Sequence, residues 1–424
     1  MFSNRIARIR STKGVGSHRY SSQLSQKYPF RQLRAYPFQL SPEDAVVQLA
    51  PYASTLCVFK NFLGSLGARY LPGFGFEPIR PLRITPVYFP AWVVDAEVQV
   101  DVSYNDTQRM TTAHIHDSYL PGSDFRILSL SSFFSRQLRA IEPVIFTPEL
   151  ETQYNTEVAC LPYTISPFTV LDIARTLSYT DATITPNLRF KPPSIKPELF
   201  AAYPVLIPLY VAQYEPRLPS SSTTPRTITL FMEAYSSTGR IFTENVDASF
   251  RKDLSDTMPA LTSFLESLQR IEGEAHSLRG VPSPFIRIAG MLMPDNRELP
   301  QPVMNWLDKH LESPGTAEIL ALKTSALTDT DPRIREYTLQ ERETNLEWMK
   351  LGAEISSLNM IVETMSSATK GARVTTIGGG KDIDPAQLMA GAVKSMRMKI
   401  EGLEVKRKET IPTWWTSWLK DSTT

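Results

Sequence analysis

Two segments of this chain read as near-copies, and the fold must give both the same kind of place. Pro86-Val87-Tyr88-Phe89-Pro90-Ala91-Trp92-Val93-Val94-Asp95-Ala96-Glu97 aligns without gaps with Pro204-Val205-Leu206-Ile207-Pro208-Leu209-Tyr210-Val211-Ala212-Gln213-Tyr214-Glu215. Pro, Val, Pro, Val and Glu coincide, and an aromatic residue follows each second proline by two positions. The offset is 118 residues. A second match precedes the first in each copy. Pro37-Phe38-Gln39-Leu40-Ser41-Pro42 and Pro162-Tyr163-Thr164-Ile165-Ser166-Pro167 both read proline, aromatic, polar, aliphatic, Ser, Pro, at an offset of 125. Two matches in the same order, with offsets differing by seven, point to an internal duplication.

Each copy reads as a helix followed by antiparallel strands. Ser41 has the chemistry of a helix N-cap, Pro42 suits the first helical position, and Glu43 and Asp44 favour the positive end of the helix dipole. Ala45, Leu49 and Tyr52 then recur at helical spacing, as do Val170, Ile173 and Leu177 in the second copy. In copy one, residues 97–102 alternate polar and valine as a strand does. Asn105-Asp106 is a turn signal before a return strand near 109–116. In copy two, a Ser- and Pro-rich loop over 216–225 separates the apolar strand from return strands near 227–235 and 240–243. The run 199–212 is too short to span a bilayer and is interrupted by Pro204 and Pro208, so it is expected to be a buried strand. The 33 prolines are expected at strand ends and in tight loops.

The expected fold class is therefore α+β. Two similar helix-plus-antiparallel-strand units, 36–130 and 131–245, form one sheet with helices on one face, or a partly closed barrel. Beyond 246 the pattern turns helical, with segments at 250–271 and 302–311 and a long helix opened by Asp331-Pro332 and running to 365. Residues 366–383, with Gly378-Gly379-Gly380, read as a linker, and Asp384-Pro385 opens a last helix within a C-terminal segment 384–424.

Some of these strings also resemble a group of bacterial proteins of unestablished function. They share a PF-x-aliphatic stretch leading into a helix and a YxPFW-like strand followed by an acidic residue. Pro37-Phe38 with Ala45, Tyr88-Phe89-Pro90-Ala91-Trp92 with Asp95, and the turn over 235–241 are similar, over about a fifth of the chain. The resemblance implies a duplicated αβ core and no particular activity. Zinc ribbons carried by several of those proteins have no counterpart here.

Charge narrows the function classes. The 424 residues carry 45 basic and 44 acidic side chains, a balance unlike that of a protein binding nucleic acid through a broad basic face. Yet residues 1–42 hold eight basic side chains and no acid. Phe2, Ile6 and Ile9 recur at helical spacing there, with Arg5, Arg8 and Arg10 between them. Serine-rich, arginine-bearing and acid-free, residues 1–35 have the composition of a mitochondrial transit peptide. The two cysteines, Cys57 and Cys160, are expected as reduced, buried thiols.

Candidate chemistry is sparse. His114 and His116 lie two apart on a strand and could face one metal ion. The same letters fit two polar residues on an exposed strand face, and we adopt that reading. Asp95 and Glu97 share a strand face, with Glu215 at the position equivalent to Glu97, as a carboxylate pair or as solvated strand ends. Tyr88, Trp92 and Tyr210 could line a pocket between the two units. Gly378-Gly379-Gly380-Lys381 lacks the spacing of a phosphate loop. No catalytic residue and no cofactor is expected. At the C-terminus, Trp414, Trp415 and Trp418 follow a helix ending in Lys406, Arg407 and Lys408, a combination suited to an anionic membrane surface or a protein partner.

The expected role is that of a non-enzymatic mitochondrial matrix protein, peripheral to the inner membrane and acting with protein partners in assembly or as a scaffold. A ligand-binding protein or enzyme with its pocket between the units is the alternative. A mitochondrial ribosome-associated protein is a further one.

Overall fold

The recurring segments occupy the two long strands at the centre of one sheet. The structure, a computed structural model, describes residues 32–57, 61–123, 128, 138, 141–215, 227–237, 239–243, 331–371 and 385–422. The expected helices at 250–271 and 302–311, the triple glycine, the loop at 216–225 and the transit segment up to residue 31 lie outside these residues. In chain order the elements are β1 (Arg34–Ala35), α1 (Pro42–Cys57), α2 (Phe62–Tyr70), β2 (Arg83–Tyr104), β3 (Thr107–Pro121), β4 (Val144–Ile145), β5 (Thr152–Gln153), β6 (Thr156–Glu157), β7 (Ala159–Cys160), α3 (Thr169–Arg175), β8 (Thr183–Thr185), β9 (Leu188–Phe190), β10 (Lys196–Tyr214), β11 (Ile228–Glu233), β12 (Ile241–Thr243), α4 (Leu339–Gly371), α5 (Pro385–Glu409) and α6 (Thr413–Ser422). All strands but β5 and β6 join one mixed sheet, and the chain is α+β.

β2 and β10 pair antiparallel over almost their whole lengths, in the register Trp92↔Pro204, Phe89↔Ile207 and Tyr88↔Pro208. Side chains alternate across a strand, and here both faces are buried. Even-numbered residues such as Tyr88, Trp92, Phe200 and Tyr210 point into one core with Leu49 of α1 and Val170 of α3. Odd-numbered residues such as Phe89, Val93, Leu199 and Ile207 point into a second core with Trp348 and Met349 of α4 and Trp415 of α6. Helices therefore cover both faces. This corrects the expectation of one covered face, and the reason is visible in the strands: residues apolar at every position require two covers.

The prolines do not end these strands. In an antiparallel strand a residue's N–H and C=O point to the same side. The Pro90 carbonyl accepts from Gly122 N–H (2.9 Å) and the Pro208 carbonyl from Ala234 N–H (2.8 Å). Both residues therefore face away from the β2–β10 ladder. Pro86 and Pro204 share their parity, so none of the four missing N–H groups is one the central ladder needs. The prolines also mark changes of partner on the outer flanks. β2 pairs with β7 at Val87 and Tyr88, and with β3 from Ala91 onward. β10 is bridged to Ile334 at Ala202, pairs with β1 at Val205 and Leu206, and pairs with β11 from Leu209.

Contacts around the two strands recur. Tyr36 N–H donates to Leu206 O (3.0 Å) and Leu161 N–H to Tyr88 O (3.1 Å). Gln39 N–H donates to Ala234 O (2.8 Å) and Thr164 N–H to Gly122 O (2.7 Å). The Tyr210 hydroxyl donates to Leu40 O and the Trp92 indole N–H to Ile165 O, both at 2.8 Å. Phe38 packs on Tyr210 at 5.3 Å and Tyr163 on Trp92 at 4.7 Å between ring centroids.

Local signals match the sequence at several points. Ser41 caps α1, its Oγ accepting from Asp44 N–H at 3.1 Å. Asn105 and Asp106 turn the β2–β3 hairpin with φ of 47° and 60°, as a two-residue turn with positive φ at both positions requires. The long C-terminal helix starts at Leu339, not at Pro332. Residues 333–335 are drawn instead to the flank of β10, with Ala202 N–H donating to Arg333 O and Arg335 N–H to Ala202 O, both at 2.9 Å. α4 and α5 form an antiparallel pair around Ile355, Val362 and Ile400, flanked by Lys399–Glu354 and Lys406–Glu347.

Gly122 is a tight point where β3 leaves the sheet. A methyl group there would lie 2.7 Å from the Tyr163 ring and 2.9 Å from the Pro90 carbonyl carbon. The ring cannot yield, because its hydroxyl donates to Val205 O at 2.8 Å and lies 3.0 Å from Ala91 O. Gly122→Ala is expected to lower stability by roughly 1–3 kcal/mol, read as a fall in the urea midpoint at unchanged slope.

Candidate functional site

A cluster of buried polar groups forms, among the described residues, where β3 carries one residue too many. Val94 pairs with Ser118 but Ala96 with Ile115, so His116 and Asp117 together oppose Asp95. This is a β-bulge, a device that re-aims side chains. Asp117 takes φ +54°, a conformation that aspartate tolerates better than most residues. Its N–H donates to Asp95 Oδ1 at 2.9 Å, and His116 Nδ1 lies 2.8 Å from the same oxygen.

α4 supplies the counter-charge. Arg342 grips Asp95 with Nε and Nη2, each at 3.1 Å, and its Nη2 also pairs with Asp117 Oδ1 at 2.9 Å. Its Nη1 donates to the Tyr337 hydroxyl at 2.6 Å. One turn on, Asn345 Nδ2 donates to the Tyr203 hydroxyl at 2.7 Å. Asp95 is fully buried. Burial opposes its ionisation, but His116 and Arg342 outweigh it and hold the carboxyl down at about 2. Burial likewise opposes the charge on Arg342, and Asp95 more than offsets it, so the guanidinium is held above its usual value. A carboxylate this firmly ionised is a weak general base. What the arrangement does is fix the start of α4 on the sheet.

Glu97, two residues on and on the same face, forms a second tie. It is 2% exposed and pairs with Arg407 of α5. Arg407 in turn lies 4.0 Å over the Trp348 ring. His114 Nε2 is 3.3 Å from Glu97 Oε2. α4 passes over this pair at Gly352, where a methyl group would lie 2.8 Å from the Arg407 guanidinium carbon and 2.9 Å from Glu97 Oε2. Burial raises the Glu97 carboxyl to about 7 against the pull of Arg407. Burial and then Arg407 lower the His114 imidazole below its ordinary value.

Several expectations are corrected here. Asp95 and Glu97 are not solvated strand ends. His114 and His116 do not stand on an exposed face, nor do they converge on one point; each turns to a different carboxylate. Tyr88, Trp92 and Tyr210 line no pocket with these acids. The three aromatics lie in the even-face core and the acids on the odd face, as strand alternation requires. Glu215 is exposed just beyond the end of β10. Trp414 and Trp415 are buried in the odd-face core and Trp418 packs beside them, stacked on Trp415 at 4.5 Å. Arg335 lies over Trp414 and Arg333 over Trp418. In this arrangement the indoles are core, not anchors. Lys406 and Lys408 remain exposed, while Arg407 is held by Glu97.

Arg342 and Asn345 escaped the sequence reading, as did the roles of Asp117 and Tyr337. Arg342 and Asp95 are 247 residues apart, and nothing local distinguishes Arg342 from its charged neighbours. Compared with protein families, curated proteins and solved structures, the chain matches none.

Arg342→Met keeps much of the volume but removes the guanidinium that Asp95 and Asp117 share. It is expected to lower stability by roughly 3–5 kcal/mol, with part recovered by adding Asp95→Asn and Asp117→Asn, as read by chemical denaturation. Glu97 gives a pH signature. Its folded carboxyl titrates at about 7, above an unfolded value of about 4.3. Its contribution is therefore complete below about pH 4 and lost as pH rises through 7. The Asp95 contribution has the opposite sign and is lost only as pH falls toward about 2. Between pH 5 and 8 the wild-type melting temperature is expected to fall, and Glu97→Gln is expected to flatten that slope.

Proposed function

We propose that this chain is a nuclear-encoded mitochondrial matrix protein, peripheral to the inner membrane, that acts with protein partners as an assembly or scaffolding factor rather than as an enzyme. One observation carries the non-enzymatic reading. The buried acids of the sheet are each closed by a C-terminal helix, Asp95 and Asp117 by Arg342 and Glu97 by Arg407. A substrate would have to compete with these guanidinium groups to reach them. The same bonds turn the helical pair α4–α5 into a rigid arm on the sheet, a geometry suited to holding partners. Supporting the location is the acid-free, arginine-bearing stretch over residues 1–42, which an energised membrane would draw inward.

The core is, on this reading, a duplicated unit of the kind the bacterial resemblance implies. Supporting it, the contacts recur at the offsets of the sequence matches. Tyr36, Gln39 and Leu40 correspond to Leu161, Thr164 and Ile165 at 125, and Tyr88, Pro90 and Trp92 correspond to Leu206, Pro208 and Tyr210 at 118. Each bond of one set has its counterpart in the other. Phe89 and Ile207, equivalent at 118, pair directly with each other, so a pseudo-twofold axis passes between them.

The test is expression of the full chain with a C-terminal tag. A shortened, protease-protected form in the matrix, extractable by carbonate and co-purifying with a defined set of proteins, is expected. An uncut form in the cytosol would remove the location. A turnover that is lost on Glu97→Gln at unchanged folding would remove the non-enzymatic reading.

A further inference from the structure

The segment joining α2 to β2 exposes an unusual density of large apolar side chains. Residues 71–77 are exposed without interruption. Phe74 is 76% exposed, with Tyr70, Leu71 and Leu82 also outward and Leu63 beside them on α2. This is a built tip, not a frayed one. Leu71 N–H closes α2 on Gly67 O at 2.8 Å, and Phe74 N–H reaches Leu71 O at 3.4 Å. Gly73 and Gly75 turn the chain with φ of 93° and 79°, values that favour glycine. The Phe76 ring lies over Gly67 so closely that a methyl group there would be 2.5 Å from it. Phe76 thus anchors the loop and Phe74 projects. A Cβ added at Gly73 or Gly75 would meet no atom within 4 Å, so the tip stands in open space.

Arginines flank it along the chain. Arg69 lies beside the Tyr70 ring at 5.4 Å, and Arg80 and Arg83 are exposed at the return of the loop. Over residues 61–83 three arginines face a single acid, Glu77. Projecting aromatics flanked by arginines match the two layers of an anionic bilayer surface, acyl boundary beneath and phosphate above. The C-terminal indoles, the other segment with this composition, are occupied in the core.

We infer that the loop carrying Phe74 is the membrane-contacting surface of this protein, inserting its aromatic tip into an anionic bilayer while the flanking arginines bind headgroup phosphates. The inference rests on the peripheral-membrane part of the function proposed above. It is tested by flotation of the full chain with phosphatidylcholine vesicles, with and without cardiolipin, for the wild type, Phe74→Asp and Arg80→Glu. Wild-type flotation with the cardiolipin vesicles, reduced roughly tenfold or more by Phe74→Asp at unchanged melting temperature, is the expected result. If the wild type floats and Phe74→Asp floats equally, the loop is overturned while the peripheral reading stands. If the wild type binds neither vesicle, both are wrong. Should Phe74→Asp lower the melting temperature, Arg80→Glu decides, equal flotation overturning the loop. A wild-type dimer in sedimentation velocity that Phe74→Asp makes monomeric, without vesicle binding, would assign the tip to a second copy instead.

Discussion

Everything in this fold is hung on the antiparallel ladder between β2 and β10. Both strands are buried on both faces, so neither can rely on water to satisfy a missed backbone bond. Their hydrogen bonds must be made to each other. The placement of prolines follows from that demand. Pro86, Pro90, Pro204 and Pro208 share one parity, with the ring in the position of an outward N–H. A proline of the other parity would remove a rung from the ladder. On the outward flanks the same residues are an advantage, because the neighbouring strand must change there. Short pieces such as β1 and β7 therefore dock between longer partners without leaving unpaired amide donors at the junctions.

The second constraint is electrostatic. Along the odd face of β2, four apolar or small residues, Val87, Phe89, Ala91 and Val93, give way to Asp95 and Glu97. An apolar cover slides freely over an apolar face, whereas a bidentate guanidinium on a buried carboxylate has one acceptable position. The bulge at His116 and Asp117 brings a second acid to the same guanidinium. Gly352 then lets α4 pass close above Glu97. The aromatic core supplies most of the burial energy. The ionic end sets the angle and register of the helical arm.

Much of this architecture was legible in the sequence, and what was not has a common cause. Ser41 announced α1, Asn105-Asp106 announced the first hairpin, and the apolar run through Pro204 and Pro208 announced a buried strand. These signals are local. The companions of Asp95 and Glu97 lie 247 and 310 residues away, so a reading confined to neighbouring residues leaves both acids in water. The start of α4 was misplaced for a related reason. Asp331-Pro332 is a sound local start signal, but backbone bonds to Ala202 take residues 333–335 first. The tryptophan cluster shows a different ambiguity. An indole's apolar body and single N–H suit a bilayer boundary and a protein core alike, and it is the burial of Trp414 and Trp415 in the odd-face core that separates the two.

The exchange of β1 and β7 between the long strands bears on how the chain can be made. β1 docks on β10, about 170 positions later, and β7 reaches back to β2, so each long strand takes part of its edge from a segment distant in the chain. Contacts of such separation close slowly, since the entropy of a large loop is lost before any bond is gained. A chain emerging from its N-terminus, whether from a ribosome or from a translocation pore, holds its first strand idle until β10 arrives. The β2 acids wait longer still, for the residues of α4 and α5. Through that interval the odd face of β2, with Asp95 and Glu97, lacks the helical cover and the guanidinium partners that the finished fold gives it.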